Sequence, residues 1–582
     1  MLAKYNTPLS DRQALYLRLA VGLVFGLLLA FLSEQIDAFR KTQDGNYNVW
    51  PPEMVWNRIL FASVALTAFV VWAGAGAMRR LSLAAWTITA FLLLLLIGWS
   101  QSEGEAFRGY SFMFHADTFL VYPLLFIAHE LISSADQARK PIAPYEVYFD
   151  QAWKRGVQLA LSLLFTGLFW GILWLGAALL KFIGFEWFGD LLEETYVAYP
   201  LSGLAFAASV HLSDVQTKLL ANVRALILGV LSWLLPVIVV VGLIFVVSLF
   251  FSGLQPLWAT RAATGTLLGA CLAMVLLINA AYQQGDEERP VNIVLKLTAR
   301  AAALLLLVFA ILAAVGLSLR VGQYGLTPSR IIAFIGVIVA LLYGVAYAIA
   351  AVMPGRWLRL LEPFNIGLAI TKVAIFIAVL TPIASPARLS VDSQIARLNA
   401  GEVTPEAFDW QLLRFKTAGY GERAIDKLIT DGKTQTIRDL ATKAKASQNL
   451  YDFDGGKLAA KTPEAKNYRL VYPAGATLPQ SFLSQAFNAE NEYASAPCLN
   501  TGVCDAALID LNGDNQPELL IRKDKALHIY RLKDEKWEIL KVSYDLNEAS
   551  VKAFTEGRIQ LARPEWSDIK LGDKQLKINE RY

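Results

Sequence analysis

Long apolar runs separated by short polar connectors fill the first two thirds of the chain, and the pattern then stops. A helix needs roughly 20 apolar residues to cross a hydrocarbon layer of about 30 Å, because lipid offers backbone polar groups no partner. Eleven runs approach that length, near residues 15–33, 55–78, 81–99, 111–132, 156–183, 196–212, 225–251, 262–282, 301–319, 331–353 and 364–383. The sixth is short and holds Pro200; the seventh is long enough to tilt or to kink at Pro236. After Pro382 and Pro386 no run reaches spanning length, and Lys, Asp and Glu become frequent.

The pattern predicts a mainly α fold: a polytopic transmembrane bundle of about eleven helices over residues 1–384, followed by a soluble α+β region. Within that region, helical spacing over 385–465 places Val391, Ile395 and Leu398 on one face, then Phe408, Leu412 and Phe415, then Ala424, Ile425 and Leu428. Over 466–582 the period shortens toward strands at Ala507–Ile509, Leu519–Arg522, Leu527–Leu532 and Trp537–Val542.

Composition agrees: 55% of the 582 residues are hydrophobic and only 18% charged, against the quarter or so usual in soluble globules. The net charge of +4 is spread in short clusters, which excludes a nucleic-acid surface. The clusters carry topology instead, since Lys and Arg concentrate in cytoplasmic loops. Alternate connectors hold Lys4, Arg12 and Arg18; Arg79 and Arg80; Arg139, Lys140, Lys154 and Arg155; Lys218 and Arg224; Arg289, Lys296 and Arg300; and Arg356 with Arg359. The intervening ones are acidic. The expected location is a bacterial inner membrane, with the N-terminus cytoplasmic, retained rather than cleaved, and the C-terminal region periplasmic.

Three cysteines fit that compartment. Cys271 lies within an apolar run and packs as a small hydrophobe. Cys498 and Cys504 bracket a short loop where an oxidising compartment favours a disulfide.

Two sets of residues could carry chemistry. Asp510, Asn512, Asp514 and Glu518 place oxygen side chains at positions one, three, five and nine of a loop between two expected strands, with the backbone carbonyl of Gln516 available at position seven, a spacing suited to a hard cation such as Ca²⁺. Asn515 and Ile521 occupy the positions where an EF-hand has Gly and Glu, and the loop looks instead like the Asp-x-Asn-Gly-Asp turn of integrin-type FG-GAP repeats, which carry Ca²⁺ between strands. An Asn- and Asp-rich chain reversal without metal has the same composition, and both readings stand. The second set is ionisable or polar at membrane depth, where burial is costly and function is the default explanation. It comprises His115, Asp117, His129 and Glu130 of the fourth run, Asn279 of the eighth and Lys372 of the eleventh, with Lys372 and Asp117 as a candidate ion pair. The alternative puts His129, Glu130 and His211 in interfacial water and lets Lys372 reach the surface along its own stem.

No phosphate-binding glycine loop, His-Glu-x-x-His or Gly-x-Ser-x-Gly occurs, and the expectation leans away from an enzyme. The segments Gln323-Tyr-Gly-Leu-Thr-Pro-Ser-Arg330, Ser390-Val-Asp-Ser-Gln-Ile-Ala-Arg-Leu398 and Phe408-Asp-Trp-Gln-Leu-Leu-Arg-Phe415 resemble the bacterial multi-pass membrane proteins grouped as domain of unknown function 4153. The resemblance implies an inner-membrane location and brings no catalytic residues. In Tyr-Gly-Leu-Thr-Pro, Gly325 frees the backbone for a turn, Thr327 or Ser329 can cap the next helix and Pro328 suits its first turn. The expected function is a noncatalytic envelope protein, in contact with membrane lipids, that presents a periplasmic interaction domain to an envelope partner. The alternatives are a transporter or flippase using the polar residues of the fourth and eleventh helices and, behind it, a membrane enzyme using Asp117 and His115 as acid or base.

Overall fold

The computed structural model describes residues 7–41, 52–102, 119–259, 262–285, 291–354, 357–447, 462–487, 496–499, 503–533, 535–543, 546–561, 569–571 and 574–576. Two compact units are present: Met1–Pro405 with Asp409–Leu450, and Glu406–Phe408 with Tyr451–Tyr582.

The first unit is helical: α1 (Asp11–Lys41), α2 (Pro52–Gly74), α3 (Arg80–Ser102), α4 (Val121–Ala138), α5 (Tyr145–Phe182), the short α6 (Trp187–Glu193), α7 (Thr195–Val215), α8 (Thr217–Ser252), the short α9 (Gln255–Ala259), α10 (Ala263–Tyr282), α11 (Ile293–Tyr324), α12 (Pro328–Val352), α13 (Leu361–Leu380), α14 (Pro386–Ala400), α15 (Ala418–Asp431) and α16 (Gln435–Ala446). A helix stands at each of the eleven expected positions, and nine helices among the described residues are long and apolar enough to cross a membrane. The two outside that set are α4 and α7. The expected fourth span begins among residues outside the described set, and α7 is diluted by Tyr196, Tyr199, Pro200, Ser202, Ser209 and His211. The protein is a multi-pass membrane protein.

Association of helices in lipid depends on close packing of small residues more than on the hydrophobic effect. α1 and α7 show this directly: a Cβ on Gly22 would lie 2.6 Å from the Gly203 carbonyl oxygen, one on Gly203 would lie 2.3 Å from the Gly22 carbonyl oxygen, and Gly26 meets Pro200 in the same way. Elsewhere the buried alanines of α11, Ala302, Ala303, Ala310 and Ala313 among them, sit in a core shared with α8, α10 and α12. A second core joins α2, α3, α4 and α13 through residues such as Val70, Trp86, Leu124 and Leu380.

α14–α16 belong to the same compact unit as the bundle. The reason lies in the turn between α11 and α12. Ser390 Oγ and Gln394 Nε2 of α14 donate to the Leu326 carbonyl at 3.1 and 2.9 Å, and Arg397 donates to the Gln323 carbonyl. Gly325 has φ +72°, and a Cβ there would fall 2.5 Å from Arg397 Nη1. Thr327 caps α12 by accepting from the Arg330 amide, with Pro328 in the first turn as its fixed φ favours.

The second unit is built on a five-stranded sheet in sequential order: β1 (Tyr468–Tyr472), β2 (Cys504–Ile509), β3 (Glu518–Lys523), β4 (Ala526–Lys533) and β5 (Lys536–Ser543). β1 runs parallel to β2, and the remaining pairs are antiparallel. The four expected strands all fall within β2–β5. Two short helices, α17 (Gln480–Ser484) and α18 (Glu548–Thr555), and a separate β6 (Ile569–Leu571)–β7 (Lys574–Leu576) pair complete the described elements. One face of the sheet packs Tyr468, Leu519, Ile521, Tyr530 and Trp537 with Phe482 of α17; the other packs Ala507, Ile509 and Leu520 against Phe554 of α18. Cys498 and Cys504 form the expected disulfide beside β2. Asp505 is buried at the start of β2, which raises the affinity of its carboxyl for a proton, but donors from Arg522, Thr555 and Arg469 prevail and hold it below the usual carboxylate range.

Gly203→Ala should lower the melting temperature of the purified full chain, since overpacking a closed contact costs about 1–3 kcal/mol. Gly156→Ala is the matched comparison in α5, where a Cβ meets nothing within 4 Å. It should be neutral or stabilising, Ala being the better helix former. Equal melting temperatures for the two variants would remove the α1–α7 contact as a packing constraint.

Candidate functional site

The last carbonyls of a helix have no partner within it and must find one elsewhere. At the end of α2 the partners are arginines from two other helices. Arg18 of α1, fully buried, donates from Nε to the Trp72 carbonyl at 3.0 Å and from Nη2 to the Ala75 carbonyl at 2.7 Å. Arg155 of α5 donates to the Ala73 carbonyl. Trp72 returns its indole N–H to the Arg18 carbonyl at 3.1 Å.

Each guanidinium also faces a carboxylate. Arg18 Nη2 lies 2.8 Å from Asp214 of α7, whose other oxygen is 2.8 Å from Lys154 Nζ; His211 Nδ1 is 3.3 Å from Arg18 Nη1. Arg155 Nε is 3.4 Å from Glu130 of α4. The neighbouring His129 accepts the Trp86 indole N–H at Nδ1, 3.1 Å away. The cluster thus joins α1, α2, α3, α4, α5 and α7 at one end of the bundle.

Glu130 differs from Asp214 in one respect. It is only 5% exposed, yet neither carboxylate oxygen has a hydrogen-bond donor among the described residues. It lines a cavity of about 210 Å³ together with Tyr145, Asn279, Tyr343, Asn365 and Lys372. Opposite it, Asn279 Nδ2 donates to Tyr347 Oη, Tyr347 to Asn365 Oδ1 and Asn365 Nδ2 to Asn279 Oδ1, each at 2.7 Å. This ring satisfies the polar groups that α10, α12 and α13 bring inside the membrane region. Lys372 Nζ sits 5.2 Å from the Tyr343 ring centroid, a cation–π contact, and pairs with no carboxylate among the described residues. The arrangement gathers a buried acceptor without a donor and a cation around one cavity with largely apolar walls, the kind of site that can bind.

Of the expected membrane-depth residues, Glu130, Asn279 and Lys372 therefore meet in one cavity, and His129 stands beside it. His129 and Glu130 are buried in protein rather than placed in interfacial water. His115 and Asp117 lie outside the described residues, and with them the Asp117–Lys372 pair. Arg18, Lys154 and Arg155, taken from the sequence as topology-setting connector charges, are structural donors within the bundle. The signal that could have found the cluster is Asp214, a lone acid following His211 at the end of an apolar run. Asn365, four residues before Ala369 on the cavity wall, carried no comparable signal.

In the second unit the Asp510–Glu518 loop is closed by its own hydrogen bonds. Asp510 accepts from the Gly513 and Asn515 amides at 2.7 and 2.9 Å, Asn512 from the Asp514 amide and Asp514 from the Gln516 amide. Glu518 accepts from the Leu511 amide at 2.8 Å. Gly513 and Asn515 take positive φ, as the turn requires. The side chains of Asp510, Asn512, Asp514 and Glu518 are thus gathered on one short turn; among the described residues no hydrogen bond of the Gln516 side chain accompanies them.

Among known proteins, the model of a family described as a domain of unknown function (DUF4153) matches residues 59–420. This is more than half of the chain, and the chain belongs to that family. No curated protein and no solved structure matches it.

Breaking one member of a buried ion pair leaves the other uncompensated and costs about 3–5 kcal/mol. Arg155→Leu should therefore lower the melting temperature strongly, and adding Glu130→Gln should recover part of the loss. A double variant less stable than Arg155→Leu alone would refute the pairing.

Proposed function

We propose that this DUF4153 member is a noncatalytic protein of a bacterial inner membrane whose helical unit binds a small ligand in its Glu130 cavity and whose C-terminal unit is a periplasmic interaction module. The observation that carries the binding role is the buried Glu130 carboxylate, without a hydrogen-bond donor among the described residues, on a residue that lines a cavity with Lys372 and Asn279. A buried acceptor without a donor is costly, and a ligand that donates to it recovers that cost.

Sidedness has two supports. Arg79, Arg80, Arg139 and Lys140 lie in the connectors at the Arg18 end, as cytoplasmic loops favour. The Cys498–Cys504 disulfide suits an oxidising compartment for the C-terminal unit. For an interaction role, β5 is an edge strand of the described sheet and exposes Leu540, the kind of element that recruits another chain.

The transporter reading is favoured by one feature, the placement of Glu130 and Lys372, both ionisable, on the same intramembrane cavity. A cysteine at Ala369, on the cavity wall, separates the readings. In the binding reading, water-soluble maleimide labels Ala369→Cys from the cytoplasmic face alone, whereas labelling from both faces indicates alternating access. Labelling from neither face contradicts both.

The Asp510–Glu518 loop is proposed as a structural Ca²⁺ site. Each oxygen that accepts a backbone amide keeps a further lone pair for a cation, and the donor set is the hard-oxygen type that Ca²⁺ takes. Ca²⁺ should raise the melting temperature of the full chain, and Asp510→Asn with Asp514→Asn should abolish the response. An unchanged melting temperature in millimolar Ca²⁺ would leave the loop as a plain turn.

A further inference from the structure

A second opening lies at the Arg18 end of the bundle, on its outer surface. It is a groove of about 720 Å³ between α3, α4 and α13 and the α4–α5 connector. Its mouth carries Arg79, Arg139 and Lys140 against one carboxylate, Asp136. Asp136 is already taken: it accepts from the Arg79 amide and side chain at 2.8 and 2.7 Å and from Ser82 at 2.5 Å. Arg139 and Lys140 are exposed and have no carboxylate partner among the described residues.

Polarity changes along the groove. Thr89 lies nine residues into α3 from Arg80, about 13 Å down the helix axis at 1.5 Å per residue. Below the mouth the walls include Trp86, Ile132 and Ile370, the last two exposed. Cations at the helix ends above an exposed apolar wall match a molecule with an anionic head and hydrocarbon tails, where a freely soluble anion would use the mouth alone.

The backbone points the same way. Arg139 follows the last turn of α4 with φ +52°, a left-handed position that glycine fills at no steric cost. An arginine held there at a cost suggests that its side chain matters more than the local strain.

We infer that this groove is a binding site for an anionic phospholipid, its phosphate on Arg139 and Lys140, with Arg79 oriented by Asp136, and its acyl chains along Ile132 and Ile370. The site is distinct from the Glu130 cavity, although Leu131 and Tyr148 line both.

The test is native mass spectrometry of the full chain released from nanodiscs of phosphatidylglycerol and phosphatidylcholine. Wild type should retain phosphatidylglycerol selectively. Arg139→Gly with Lys140→Gln removes two cations and relieves the backbone, so the protein should melt no lower in detergent. Its preference should fall about thirty-fold, at roughly 1 kcal/mol per cation near a membrane surface. Arg139→Lys with Lys140→Arg should keep the preference. Equal retention of the two lipids by wild type, an unchanged preference in the Gly/Gln variant, or displacement of the lipid by millimolar inorganic phosphate would each overturn the assignment.

Discussion

Two guanidinium groups complete the end of one helix, and much of the bundle is arranged around that fact. The carbonyls of Trp72, Ala73 and Ala75 at the end of α2 and just past it meet arginines inside the protein, where water is scarce and an unsatisfied carbonyl is expensive. Arg18 and Arg155 supply the donors from α1 and α5 and favour the negative end of the α2 dipole. Bringing in two cations creates a second demand, met by Asp214 for Arg18 and by Glu130 for Arg155. The α1–α7 approach through Gly22 and Gly203 is what lets Asp214 reach Arg18, so a packing contact of small residues and an ion pair depend on each other.

The site follows from an imbalance in that arrangement. Asp214 is held by two cations in direct contact, whereas Glu130 has one, at longer range, and no hydrogen bond among the described residues. Across the cavity the Asn279–Tyr347–Asn365 ring is fully used. The unfilled capacity therefore lies on one wall, with Lys372 supplying a cation nearby. The satisfied groups lie on α7, α10, α12 and α13, and the acceptor without a donor lies on α4.

The helices were legible because lipid imposes a single length and polarity on every span; Gly325 and Thr327 were legible because turns and caps restrict residue choice. The partnership of two family segments was not. Gln323–Arg330 and Ser390–Leu398 are far apart in sequence, and only the fold shows Gln394 and Arg397 closing over Gly325, which also draws α14–α16 into the bundle's compact unit. The charged cluster was hidden for a different reason. A cation near the start of a span looks the same whether it marks a cytoplasmic connector, as the sequence suggests for Arg18, or turns inward to cap a neighbour. Strand positions in the C-terminal unit and the disulfide were visible because alternation and cysteine spacing are local signals, unlike the donors that surround Asp505.

The central claim is that a buried cation from α1 and a half-buried carboxylate from α7 meet and hold one end of the bundle. A double-mutant cycle of Arg18→Met and Asp214→Asn, read from the unfolding free energy of the full chain, measures that coupling. The predicted result is an interaction energy of at least about 1 kcal/mol, the double variant losing less than the two single changes together. Losses that add to within about 0.5 kcal/mol would contradict the account.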